Sequence, residues 1–553
     1  MTESSETRRD NPERPRTPPG TVYFGEGRID LDGLEQDANG HVILQPQPSN
    51  DPNEPLNWPT YQKAINFSIA CLFTLMVFTT YDLDVGTVTW PSLGEELGYG
   101  DRYLNDSYAA GLAGMALGCI FFIPAADLIG RKPVYLFASL IMVLANVGQA
   151  TFQTRAQYIV LQAIAGLAGS VNDTIIQMTI VDLFFVHQRA TMNGIYTTMV
   201  VVGTYLSLIP AGYIIGSQGW RWVWWWCAIL NAAVLLLIIF AYEETRYGGP
   251  AGNCYIGQDP PVALGSEEEQ STTPEFDKEK ATPLPCDTIP QRPVEEPIPP
   301  RKTYLERMTT FEPSESISLK TYWRHMWTPF LLFFRIPAVS FVGFEYSLMM
   351  CWTAILATTQ PILFAAPPYN FSSVGVGNIN IAPFIGAVIG AIYGGPLNDY
   401  YVVYMARRRA GIYDPELRLH MLLAPLIVCP LGLFLYGISI ANEQPWIVPC
   451  IGSSFVGFGI GSVTSIILPY YGDSYRELVA EGLVVITFIR NVVSTGISFA
   501  INPWMTGLGV QNMFISAGCL CFGTMVFIIP MMIWGRKARS STADYYLSAV
   551  AAG

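Results

Sequence analysis

Five ionisable residues stand inside long apolar stretches of this chain: Asp82, Asp84, Asp173, Glu345 and Arg490. A charge at bilayer depth costs several kcal/mol unless it is paired or hydrated, so such residues mark ion, proton or ligand sites. Four acids against one base suit a cationic ligand, bound protons, or both. Asp173 and Glu345 come from different halves of the chain, and Arg490 could neutralise one carboxylate. Tyr346 and Trp352 lie within two helical turns of Glu345 and offer ring faces to an amine or aromatic ligand. A structural reading stands beside each. Asp82 and Asp84 suit a headgroup zone, Asp173 could cap a kink with Asn172, Arg490 could snorkel, and either ring could pack against lipid.

The elements that would hold these residues are apolar runs near the ~20-residue bilayer-crossing length. They fall at 64–84, 106–126, 133–153, 157–180, 192–215, 221–242, 334–364, 376–397, 420–441, 446–470, 483–503 and 512–534. Six runs, a polar interruption and six more predict an all-α polytopic membrane protein of twelve helices in two six-helix, pseudo-symmetric halves. The alternation of a transmembrane barrel is absent. The expected domains are a disordered tail at 1–63, a first half at 64–242, a disordered linker at 243–329, a second half at 330–534 and a tail at 535–553. Composition agrees: 51% of residues are hydrophobic and 14% charged, against about 25% charged in soluble domains. The net charge is −13, and nearly all of it sits in the tail and linker. No basic nucleic-acid-binding surface is expected.

Loop charge sets the expected orientation. With the N-terminus in the cytosol, Arg131, Lys132, Arg189, Arg407, Arg408, Arg409, Arg418, Arg476, Arg536, Lys537 and Arg539 fall inside, and Arg102, Arg155 and Arg221 outside. Both termini are then cytosolic. Two Asn-x-Ser triplets, at Asn105 and Asn370, fall outside and are candidate glycosylation sites. The ten cysteines have no metal-binding spacing, and most lie in apolar runs as small hydrophobes. No metal or cofactor is expected, and the chain reads as a monomer in a bilayer.

Between spans 2 and 3 stands IPAADLIGRKP, residues 123–133, and between spans 8 and 9 stands GGPLNDYYVVYMARRRAG. The first resembles the inner-loop signature GxxxDRxGRR of the major facilitator superfamily at Asp127, Gly130, Arg131 and Lys132. The second matches it at Gly395 and Asp399. A partial motif in both halves is the internal repeat of that fold. NEPLNWP at 53–59, DLFFVHQR at 182–189, GWRWVWWW at 219–226 and RRRAGIYDPELRL at 407–419 resemble the fungal twelve-span drug:proton antiporter branch, nearest its histidinol and polyamine/cation transporter-like members. Two stretches depart from the pattern. Gln162 replaces the span-4 arginine four residues before Gly166, and Ser207–Gly212 lacks the usual span-5 Gly-Pro pair.

The resemblance implies alternating access driven by an ion gradient, most simply protons. Asp127, Gly130, Arg131, Lys132, Gly395 and Asp399 would form an inner gate. Asp82, Asp84, Asp173, Glu345, Tyr346, Trp352 and Arg490 would bind substrate or protons. The substrate would be a small organic compound, either expelled as a drug, toxin or secondary metabolite, or imported as a polyamine-like cation. The plasma membrane is the expected site, with the vacuolar membrane as the alternative.

Other classes find less support. The sequence has no Gly-Lys dipeptide and so no Walker A loop, and neither HExxH nor GxSxG. An enzyme is not expected. A nutrient sensor on the same scaffold is the other alternative, but such sensors carry a longer C-terminal extension than residues 535–553.

Overall fold

The computed structural model describes residues 22–23, 51–84, 89–246, 303–308, 319–409, 412–475 and 478–552. Eleven helical stretches among them are long and apolar enough to cross a bilayer. The last, Glu481–Ser548, has 68 residues, which at 1.5 Å per residue is roughly 100 Å of helix. A hydrocarbon core is only ~30 Å thick. At Gly509 the backbone leaves helical geometry (φ 76°, ψ 162°), a conformation open to a residue without Cβ. This stretch therefore holds two crossings, and the described residues hold twelve in all. An even number returns the chain to the face it left, here the terminal face; the opposite one is the distal face.

Span 1 is Thr60–Asp84, span 2 Asp101–Ile129, span 3 Arg131–Thr151, span 4 Arg155–Leu183 and span 6 Trp220–Ala241. Span 5 joins Val186–Val201 to Leu208–Gln218 through one wide π turn, Val202–Leu206. In the second half, span 7 is Pro337–Ala365, span 8 Ser373–Arg408, span 9 Glu416–Ala441 and span 10 Ile447–Ser474. Span 11 starts at Val479, and span 12 follows Gly509 and passes into helix Ile528–Ala552. A bilayer offers backbone groups no water, so a crossing segment must satisfy them within the protein, as each of these helices does internally. Loops are correspondingly tight. Gly130 and Gly219, at φ 111° and 91°, turn span 2 into 3 and span 5 into 6. Thr154 and Gln157 cap span 4 reciprocally.

The repeat is visible in how glycines pack. A Cβ on Gly114 would stand 2.1 Å from the Ala163 carbonyl, and one on Gly166 would stand 1.9 Å from that of Gly111. These residues fuse span 2 to span 4. Six crossings later, Gly386 and Gly390 fuse span 8 to span 10 through the Ser454 and Phe458 carbonyls. Both seams lie within a half. They allow the backbones within each half to approach closely.

Several segments expected to be unstructured are ordered. NEPLNWP forms an elbow around the turn Pro55–Asn57, closed by Lys63 Nζ donating to the Leu56 carbonyl at 2.9 Å. Val22–Tyr23 pairs with Ile412–Tyr413. Within 243–329, Tyr304–Arg307 and the start of Leu319–Arg335 are helical, while 247–302 and 309–318 lie outside the described residues. The tail at 535–553, for which no conformation was expected, continues span 12 as helix to Ala552, and its Arg539 side chain is fully buried. Polar partners explain these differences, because local composition says nothing about charges supplied from distant segments.

Candidate functional site

Span 7 brings the central candidates together. Glu345 is 1% exposed, and neither carboxylate oxygen has a hydrogen-bond partner in the protein. Met349 and Trp352, on the following two turns, belong to the buried core of the second half. Trp352 is therefore core-packed, not lipid-facing. Tyr346 points elsewhere, because consecutive residues on a helix diverge by about 100°. Its hydroxyl accepts from Arg490 at 3.1 Å, and the guanidinium lies 5.2 Å from its ring centroid. Arg490 is 6% exposed and also donates to Asn491 Oδ1. The expected neutralisation of a carboxylate by Arg490 is thus not made with Glu345.

This cluster adjoins the other half. Asn491 reaches Cys119 of span 2 at 3.9 Å. Val484 packs with Cys119, Ile123 and Met178 of spans 2 and 4. Of the remaining candidates, Asp173 lies on span 4 and Asp82 and Asp84 at the end of span 1, but their side chains lie outside the described ones. Asn172, beside Asp173, accepts from the Thr74 hydroxyl at 2.6 Å, joining span 4 to span 1. Gln162 is buried, with Nε2 lacking a partner.

At the terminal face, Arg131 pairs within the first half and Lys132 reaches the segment after span 6. Arg131 opens span 3 and pairs through Nε with Asp182 near the end of span 4, at 3.2 Å. Glu244 accepts from the backbone N–H groups of Arg131 and Lys132 at 2.8 and 3.0 Å. A carboxylate there answers the exposed amides and positive end of a helix N-terminus. Gly130 leaves room for it, since a Cβ would meet Glu244 Oε2 at 2.5 Å. Lys132 Nζ donates to the Met308 carbonyl, and Arg307 pairs with Glu243 at 3.3 Å. The Asp127 side chain lies outside the described ones.

The second half repeats the arrangement. Arg418 opens span 9 and pairs with Asp473 near the end of span 10 at 2.7 Å, and with Asp399 of span 8. Tyr413 also donates to Asp473, and burial pushes its phenol well above the usual range. Arg539 holds Glu416 in a bidentate pair, at 2.8 and 2.6 Å. Gly395 has nothing within 4 Å of a hypothetical Cβ, so no close packing demands glycine there. Sequence reasoning missed Asp182, Glu243, Glu244, Glu416 and Asp473. DLFFVHQR does contain Asp182, at the end of span 4, and RRRAGIYDPELRL contains Glu416, at the start of span 9, but neither stretch contains Glu243, Glu244 or Asp473.

At the distal face the halves meet closely. A Cβ on Gly212 of span 5 would stand 2.8 Å from the Ser373 carbonyl, and one on Gly377 of span 8 would stand 2.7 Å from that of Leu208. Toward the terminal face, Asn193, Gly194 and Tyr196 of span 5 are only partly covered or exposed. Asn105 is buried within span 2, with both amide atoms lacking partners, and offers no room for a glycan. Asn370 is exposed in the loop after span 7, at φ 47°. Among the described residues no group of acids, histidines and cysteines could hold a metal ion.

Residues 70–499 match the family model described as Major Facilitator Superfamily. The chain belongs to this superfamily. Three fungal relatives illustrate the likeness. An uncharacterised MFS-type transporter of Schizosaccharomyces pombe is 31% identical, covering 92% of this chain and 90% of the relative. Protein HOL1 of Saccharomyces cerevisiae is 29% identical over 98% of each. The MFS transporter cpaT of Aspergillus oryzae is 25% identical, covering 89% and 90%. The fold is that of the xylose transporter XylE from E. coli in a partially occluded inward-open conformation, with TM-score 0.55, 12% identity and coverage of 85% and 99%. The human organic anion transporter MFSD10 gives 0.53, 13%, 85% and 100%. The protein is a multi-pass membrane transporter of small organic compounds that works by alternating access, and it is not an enzyme.

Proposed function

We propose that this superfamily member couples proton movement to the export of a small organic compound across the fungal plasma membrane. Its terminal face would be cytosolic. The observation that carries the reading is Glu345: a carboxyl group buried in span 7, without a protein partner, one residue from the Tyr346 that holds Arg490. A carboxylate in that position is costly unless neutralised or hydrated. In the proposed cycle Glu345 carries a proton while sealed and releases it when rocking of the halves admits water. Tyr346, Arg490 and Asn491 adjoin span 2 and would register substrate at the seam. Asp82, Asp84 and Asp173 would add negative charge, and the terminal-face charge clusters would govern when that face opens.

The excess of acids over Arg490 favours a second reading, import of a polyamine-like cation. The test is uptake of labelled spermidine in a fungal host lacking polyamine import, from acidic to neutral outside pH. A resistance screen against fungicides and metabolites runs in parallel. Saturable uptake selects import; resistance without uptake selects export. In either case Glu345→Gln is expected to remove the pH dependence while leaving surface expression intact. Transport by that variant with unchanged pH dependence would refute the coupling role.

A further inference from the structure

Helix Leu319–Arg335 precedes span 7 and is not a crossing. It packs against span 2 of the first half and against spans 7 and 11 of the second. Phe330 meets Phe488 of span 11 edge-on, with centroids 5.0 Å apart. Leu332 is fully buried, and Phe333 lies against Gly343 of span 7. The helix thus bridges the two halves.

One stripe of it faces away. Trp327, Leu331 and Phe334 are 63%, 58% and 82% exposed, and spacings of four and three put them on one helical face. The helix sequence carries Lys320, Arg324, His325 and Arg335 and no acid. Arg335 stands two positions before Pro337, where span 7 begins, so the helix ends at the depth where a crossing starts.

We propose that helix Leu319–Arg335 lies in the headgroup layer of the terminal-face leaflet and binds anionic phospholipid. Trp327, Leu331 and Phe334 enter the acyl boundary, and the net positive charge of the helix sequence draws lipid phosphate and carboxylate groups. Because the helix touches both halves, membrane charge acts directly on the seam that alternating access must open. The inference rests on the membrane fold alone and not on proton coupling, so either can fail without the other.

The test needs no transported substrate. The full chain is reconstituted in phosphatidylcholine liposomes with and without phosphatidylserine, and hydrogen exchange is followed in the peptide covering 319–335. Phosphatidylserine is expected to slow exchange severalfold, high salt to reverse this, and soluble glycerophosphoserine to have no effect. The triple variant Lys320→Gln, Arg324→Gln, Arg335→Gln should lose the increment and retain the exchange rate seen in phosphatidylcholine alone. As a second measurement, shallow brominated lipid should quench a component of tryptophan emission that Trp327→Phe removes. Exchange equal in both lipid mixtures would overturn the proposal. So would equal slowing by the soluble headgroup, slowing that tracks protein concentration, or a Trp327 component that the bromolipid does not quench.

Discussion

Arg131 Nε lies 3.2 Å from Asp182 Oδ2, tying the first residue of span 3 to the last turn of span 4. The second half holds the same relationship between Arg418 and Asp473, at 2.7 Å. The two pairs stand at equivalent span ends, so the internal repeat extends from packing to electrostatics. All four side chains are partly shielded from water, which makes these pairs stronger than exposed surface bridges.

Removing one partner should therefore be felt. Asp473→Asn leaves Arg418 with Asp399, which is itself more exposed. A loss of about 1–3 kcal/mol is expected, as for a charge-assisted hydrogen bond. Asp182→Asn should cost less, because Arg131 also donates to the Ala126 carbonyl at 2.9 Å. Thermal unfolding of the purified protein in detergent would order the two variants, and a reversed order would contradict this account.

The glycine seams make a sharper contrast. Gly386→Ala places a methyl group 1.9 Å from a backbone carbonyl of span 10, whereas Gly523 has nothing within 4 Å of the same position. Gly386→Ala should sharply reduce the yield of monodisperse protein. Gly523→Ala should stay within about 0.5 kcal/mol of wild type. Size-exclusion profiles and melting curves of the two variants check both expectations.

Acid should weaken the distal face through Glu96. Its carboxylate accepts from Arg221 and from the Trp220 indole N–H, each at 2.5 Å. The Arg221 hydrogen bond, then that of Trp220, hold the group below its ordinary range. A depressed carboxylate contributes stability above its unfolded-state value, and that contribution disappears as pH falls through the folded-state value. Melting temperatures measured from neutral to acidic pH should fall less steeply for Glu96→Gln than for wild type. Parallel curves would show that Glu96 adds no pH dependence.

Glycosylation should separate the two triplets. Asn370→Gln is expected to abolish any glycosidase-sensitive mobility shift, and Asn105→Gln to leave it intact. A shift that survives Asn370→Gln would also count against the proposed orientation, which puts the distal face outside the cell.

Much of the architecture was legible in the sequence because bilayer thickness fixes how long an apolar helix must be. The twelve crossings, the six-plus-six division and the paired motif at Asp127 and Asp399 all follow from local runs and spacing. Helical period also sorts the tryptophans of GWRWVWWW once the core direction is known: Trp222 and Trp226 are exposed and Trp224 is buried.

Partnership was not legible. That Glu345 is buried without a hydrogen-bond partner while its neighbour Tyr346 holds Arg490 depends on which face of span 7 meets spans 11 and 12, and the weak amphipathicity of that helix does not declare it. The same holds for Arg539, which reads as a tail charge but closes a buried pair with Glu416, 123 positions away. Asn105 matches a glycosylation triplet yet is enclosed by neighbouring helices. Hydropathy is set by each segment alone, so the sequence determined where the chain crosses the membrane. Pairing and burial depend on atoms far apart in the chain, so only the tertiary structure decided which charges meet.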